Sequence, residues 1–129
     1  EICACLVGSE MCIRDRTYRP YKARSYAYLS DTAFSAKAAG LAAGVDLLYH
    51  EATYAAAERK IARERGHSTT AEAARAALRA GAGRLVIGHF SSRYKELAPL
   101  LDEARTLFPA SDLAEEGRTF TIEKRPFRC

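Results

Sequence analysis

Leu85-Val86-Ile87 is a short apolar run that stops at Gly88 and is followed at once by a histidine. Such a run reads as a strand buried on both faces, the kind found in parallel sheets. Parallel strands return through crossovers and collect ligands at their carboxyl edge. His89 therefore stands where an open α/β sheet places its chemistry. Behind it Ser91, Ser92, Arg93 and Tyr94 offer hydrogen bonds and positive charge suited to a phosphate.

The rest of the chain supplies partners for that strand. Ser25–Leu29 alternates with two tyrosines as a strand does, and stops at Ser30-Asp31-Thr32. An Ala-rich helix over Ser35–Ala43 ends at Gly44, and Val45–Tyr49 is a second apolar strand leading to His50-Glu51. Tyr54–Arg65 reads as an exposed helix closed by Gly66. Thr69 or Thr70 caps a helix over Ala71–Ala80, with Glu72 in its first turn. Tyr94–Phe108 has helical spacing, with Pro99 in its first turn or at a kink. Asp112–Ala114 and Thr119–Ile122 read as short edge strands. This order predicts an α/β fold with right-handed crossovers.

At 129 residues the chain holds one domain at most. A net charge of +4 permits a polyanionic partner without demanding one. No apolar run approaches the ~20 residues of a membrane span, and the opening lacks the basic and apolar regions of a signal peptide. Cys3, Cys5 and Cys12 sit in the first dozen residues and Cys129 is the last, so the body has no C-x-x-C pair. These features predict a soluble protein in the reducing cytoplasm. Glu1–Arg16 has no clear period and reads as a non-native or disordered segment, leaving 17–129 as the domain.

Asp31, Glu51 and His89 each follow a predicted strand closely, and His67 lies in a loop able to fold back over the same edge. Carboxylates with imidazoles suit Zn²⁺ or Mn²⁺, and equally a relay in which a carboxylate orients a proton-carrying histidine. At this level a metal site, an acid–base site and isolated structural caps all remain open. A Ser-His-Asp hydrolase is disfavoured, because no G-x-S-x-G elbow exists.

Four pieces together carry a resemblance: Tyr28-Leu29-Ser30-Asp31-Thr32, Leu48-Tyr49-His50-Glu51-Ala52-Thr53, Gly66-His67-Ser68-Thr69 and Gly88-His89-Phe90-Ser91-Ser92-Arg93-Tyr94. Leu113-Ala114-Glu115-Glu116-Gly117 fits a fifth. In order and spacing the sequence resembles the C-terminal half of ribonuclease Z, the tRNA 3′-processing endonuclease of the metallo-β-lactamase superfamily. The resemblance implies the C-terminal half of an αββα sandwich and a zinc-dependent endoribonuclease that removes 3′ trailers from precursor tRNA. It also implies two zinc ions per complete site and a homodimer. It makes Asp31 and His89 metal ligands, and Glu51 with His67 the pair that protonates the leaving 3′ oxygen. Ser91, Arg93 and Tyr94 fall beside the scissile phosphate, and His50 is structural.

The departures are as informative. The family's H-x-H-x-D-H run, a further histidine ligand and the tRNA-clasping arm are absent, and Glu116 stands where many members have aspartate. With two ligands the chain is expected to be inactive alone and to leave one apolar sheet face uncovered. Two alternatives are another phosphodiesterase or hydrolase of the same fold, and a non-catalytic α/β module with structural His and Asp. The Glu51–His67 pair argues against the first.

Overall fold

Four short strands with little polar content are consecutive in the chain and consecutive in space. The computed structural model describes residues 21–126; the reading of Glu1–Arg16 and all four cysteines lie outside the described residues. Strands β2 (Tyr26–Leu29), β3 (Leu47–Glu51), β4 (Arg84–Gly88) and β5 (Ser111–Leu113) form one parallel sheet in the order β2-β3-β4-β5. Because each crossover adds a strand on the same side, right-handed connections put every helix on one face of the sheet. These are α1 (Ala36–Leu41), α2 (Arg59–Glu64), α3 (Thr70–Ala80) and α4 (Ala98–Leu107).

Alanine makes the packing possible. Helix α3 buries Ala73, Ala74, Ala76, Ala77 and Ala80, so it approaches Leu48, Leu85 and Ile87 of the sheet without long side chains between. Those three sheet residues are fully buried, each contributing about 1.5–3 kcal/mol relative to exposure. Thr69 and Glu72 close a reciprocal capping box, and Gly81 ends the helix at φ 60°, a left-handed conformation glycine adopts without a Cβ penalty. Ser35 caps α1 through Ala38 N–H at 3.2 Å.

Beyond shifts of one or two residues, such as β3 running on through His50 and Glu51, three elements differ from the sequence reading. Tyr54 starts no helix, because it forms a parallel bridge with Thr69; a 3₁₀ turn (Ala56–Glu58) and α2 follow. Helix α4 begins at Ala98, since Pro99 tolerates only the first turn of a helix, which leaves Tyr94–Leu97 outside. Thr119–Ile122 is not a strand: Phe120 is held between the guanidinium groups of Arg84 and Arg118, 5.2 and 4.8 Å away. Arg–aromatic stacking replaced the ladder that the alternation suggested.

The sheet face away from the helices carries tyrosines. Tyr28 and Tyr49 stack at 4.5 Å between centroids, while Tyr26 and Tyr28 are more than half exposed. Burial, then the phenols of Tyr28 and Tyr26, pushes the Tyr49 hydroxyl up to about 12. A Cβ on Gly88 would lie 2.9 Å from the Tyr49 ring, so glycine is what lets that ring cover the end of β4.

Ser25–Phe120 is one compact unit; the described residues before and after it, 21–24 and 121–126, belong to another. In the latter β1 (Tyr21–Lys22) pairs antiparallel with β6 (Arg125–Pro126), and Arg24 donates to the Ile122 carbonyl at 3.3 Å.

Candidate metal centre

Parallel register brings the strand ends level. Leu29 lies opposite His50, and Glu51 opposite Gly88, so residues just past β2 and β4 share an edge with the end of β3. Asp31 follows β2, Glu51 closes β3, and His89 follows β4 directly. His67 comes from the loop between α2 and α3. One ligand atom of each of the four lies within 4.8 Å of the others.

Glu51 is the fixed point. It is fully buried, and its two carboxylate oxygens receive five hydrogen bonds. Oε1 accepts from Thr32 N–H at 2.8 Å and from His67 Nδ1 at 2.9 Å. Oε2 accepts from the Thr53 hydroxyl at 2.6 Å, and from the N–H groups of Ser68 and Thr53 at 3.2 and 3.3 Å. Burial alone would raise its carboxyl, but the bonds from Thr53, His67, Ser68 and Thr32 outweigh it and hold the group below the usual glutamate value. Five donors exhaust the roughly four lone-pair sites of a carboxylate.

Asp31 and His89 contrast with it. The Asp31 side chain is 74% exposed, and its Oδ1 lies 3.7 Å from both His67 Nδ1 and His89 Nε2, beyond hydrogen-bonding distance. The imidazoles of His67 and His89 are 5.5 Å apart at 34°. Asp31 and His89 are also the only non-glycine residues at positive φ among the described residues, at 51° and 60°. A side chain held there costs about 1–2 kcal/mol, strain that tends to gather at functional sites.

The donor chemistry fits half of a metal site. Asp31 Oδ1 and His89 Nε2 are an oxygen and a nitrogen of the types that bind metal, 3.7 Å apart, whereas the lone pairs of Glu51 are occupied and His67 Nδ1 faces Glu51. His50 is elsewhere: buried, with Nδ1 at 2.7 Å from the Glu51 carbonyl, it has its proton affinity lowered, first by burial.

The loop after β4 holds Ser91, Arg93 and Tyr94 close by, but two of these side chains have partners within the chain. Arg93 and Tyr94 both donate to Glu58, Tyr94 accepts from Ala55 N–H at 2.9 Å, and Arg93 lies 5.2 Å over the Tyr54 ring. Glu58 escaped the sequence reading because nothing in a helical Ala-Glu-Arg run marks one glutamate as a clamp. Ser91 N–H donates to the Thr53 carbonyl at 3.0 Å.

A parallel α/β layer with a carboxylate–imidazole cluster at its carboxyl edge is one half of the kind of layered α/β domain that carries candidate metal sites at strand ends. Residues 18–90 match the Beta-lactamase superfamily domain, and the chain belongs to that superfamily. It is similar to ribonuclease Z of Parabacteroides distasonis, 48% identical over 108 residues that cover 83% of this chain and 36% of that protein. Among solved structures it resembles the metallo-β-lactamase fold protein YhfI of Bacillus subtilis, at TM-score 0.65 and 28% identity over 70% of this chain and 37% of that one. It also resembles human tRNase Z, short form, at TM-score 0.51 and 38% identity over 66% of this chain and 27% of that one. The chain spans about a third of the length of the curated relatives it matches, so its fold is a part of the metallo-β-lactamase sandwich.

Proposed function

We propose that the chain is part of a zinc-dependent endoribonuclease of the ribonuclease Z type, which removes 3′ trailers from precursor tRNA. One observation carries this reading: the four clustered side chains divide into a hydrogen-bonded pair, Glu51–His67 at 2.9 Å, and a pair with open ligand atoms, Asp31 and His89. Asp31 and His89 hold zinc, with the remaining ligands supplied from outside this chain. Bound zinc supplies Lewis-acid activation of water and neutralises charge at the phosphate. Glu51 fixes the His67 ring through Nδ1, which leaves Nε2 to carry the proton that the leaving 3′ oxygen receives. The loop of Ser91, Arg93 and Tyr94 borders the phosphate, with Glu58 bracing it. The complete protein is a cytoplasmic homodimer, and no helix among the described residues is long and apolar enough to cross a membrane.

A chimera tests the reading. This chain replaces its matched segment in the Parabacteroides distasonis protein, and the product is assayed on precursor tRNA with a 3′ trailer. Cleavage is expected; His67→Ala should lower kcat by about 10²–10⁴-fold with metal content intact, the range for losing a general acid. Asp31→Ala or His89→Ala should lose metal together with activity. A folded, metallated His67→Ala chimera with near-normal kcat would remove the acid role.

A further inference from the structure

Thr53 joins the two pairs. Its hydroxyl lies 2.6 Å from Glu51 Oε2 and 3.0 Å from His89 Nδ1. A threonine hydroxyl has one hydrogen and two lone pairs. Glu51 Oε2 accepts the N–H groups of Thr53 and Ser68 as well, and an ionised carboxylate is acceptor-only, so at 2.6 Å the hydroxyl hydrogen is the one that lies between them. The same oxygen can then meet His89 only as an acceptor. Nδ1 of His89 must carry a hydrogen, and in the neutral ring the lone pair is left on Nε2, the atom nearer Asp31.

We propose that Thr53 is a positioning residue that locks His89 in its Nδ1–H tautomer, so that the Nε2 lone pair faces Asp31. Under the metal reading above, on which this part rests, Nε2 is the ligand atom. Ligating histidines commonly have their other ring nitrogen fixed by such a hydrogen bond. The frame around Thr53 is built for this. Its side chain is buried, its carbonyl accepts from Ser91 N–H at 3.0 Å, and Ala52 N–H donates to the Gly88 carbonyl at 2.8 Å. Those two backbone bonds tie the segment after β3 to the segment after β4 on either side of His89. The left-handed backbone of His89 then turns its ring toward the hydroxyl. His67 needs no such intermediary, because Glu51 takes its Nδ1 hydrogen directly.

The test is the protonation pattern of the imidazole nitrogens in the metal-free chain, read by long-range ¹H–¹⁵N correlation with ¹⁵N-histidine at a pH where the rings are neutral. Wild type should show His89 with protonated Nδ1 and bare Nε2, and Thr53→Ser should match it. Thr53→Val keeps the shape without the hydroxyl and should shift His89 toward the Nε2–H form that free imidazole prefers. Zn²⁺ titration should show affinity falling about 10–100-fold in Thr53→Val but not in Thr53→Ser. Nε2–H in wild-type His89, or Nδ1–H persisting in a folded Thr53→Val chain, would overturn the assignment. If Thr53→Val does not fold, the wild-type tautomer decides alone. Nδ1–H in wild type, with no zinc bound by the chimera that supplies the remaining ligands, would remove the metal reading and leave the role of Thr53 standing.

Discussion

Exchanging one oxygen of Glu51 for an NH₂ group should break the edge of the sheet more than its size suggests. In Glu51→Gln the amide has two orientations. With nitrogen at the Oε2 position, it confronts the N–H groups of Ser68 and Thr53, leaving two buried donors without acceptors. With nitrogen at the Oε1 position, it orphans only Thr32 N–H, because neutral His67 can turn its Nδ1 lone pair toward the amide. The second is cheaper and still strands one donor, at about 1–3 kcal/mol. The bonds that remain also lose their charge assistance, a further loss of the order of 1 kcal/mol. Urea unfolding should therefore show Glu51→Gln destabilised by about 2–4 kcal/mol, with Glu51→Ala worse. The acid limb of the stability profile gives a second check. Because folding depresses the Glu51 carboxyl, its contribution is full above the ordinary glutamate value and is lost as pH falls from there through the folded one. Glu51→Gln should flatten that limb. A loss below 0.5 kcal/mol (on a scale where ~1 kcal/mol is one ordinary hydrogen bond) with an unchanged acid limb would refute the five-bond account of Glu51.

Three further outcomes follow from the geometry. Asp31→Gly should be more stable than Asp31→Ala by about 1 kcal/mol in the same unfolding assay, since both lose the carboxylate and only glycine accepts φ 51° freely; equal stability would argue against strain there. Gly88→Ala should cost about 1–3 kcal/mol and displace the Tyr49 ring, visible as loss of its near-ultraviolet circular dichroism, because the new methyl enters the ring's space. The purified chain should hold zinc weakly and cleave no precursor tRNA, two open ligand atoms being fewer than the three or four of a stable site; stoichiometric zinc after dialysis would show that Glu51 or His67 ligates as well.

The sequence by itself was enough for the four strands of the parallel sheet, the Thr69 cap and the shared edge. Three apolar residues before Gly88, a Thr69–Glu72 spacing and the glycines Gly44, Gly66 and Gly81 after the first three helices are local signals, and local hydrogen bonding and burial obey them. It was enough too for the cluster of Asp31, Glu51, His67 and His89, because parallel register leaves strand ends little freedom. Which donors and acceptors meet each of the four was decided only in three dimensions. The lone pairs of Glu51 are taken because donors at residues 32, 53, 67 and 68 converge on it, and no periodicity announces donors contributed by three separate loops. Arg93 and Tyr94 read as open phosphate contacts until Glu58, more than thirty residues earlier, is seen to bind both. Thr119–Ile122 alternates like a strand, yet two arginines hold Phe120 instead. Apolar pattern reports how much of a residue is buried, a property of one position. Whether a lone pair is free depends on every donor within reach, and the folded chain alone gathers them.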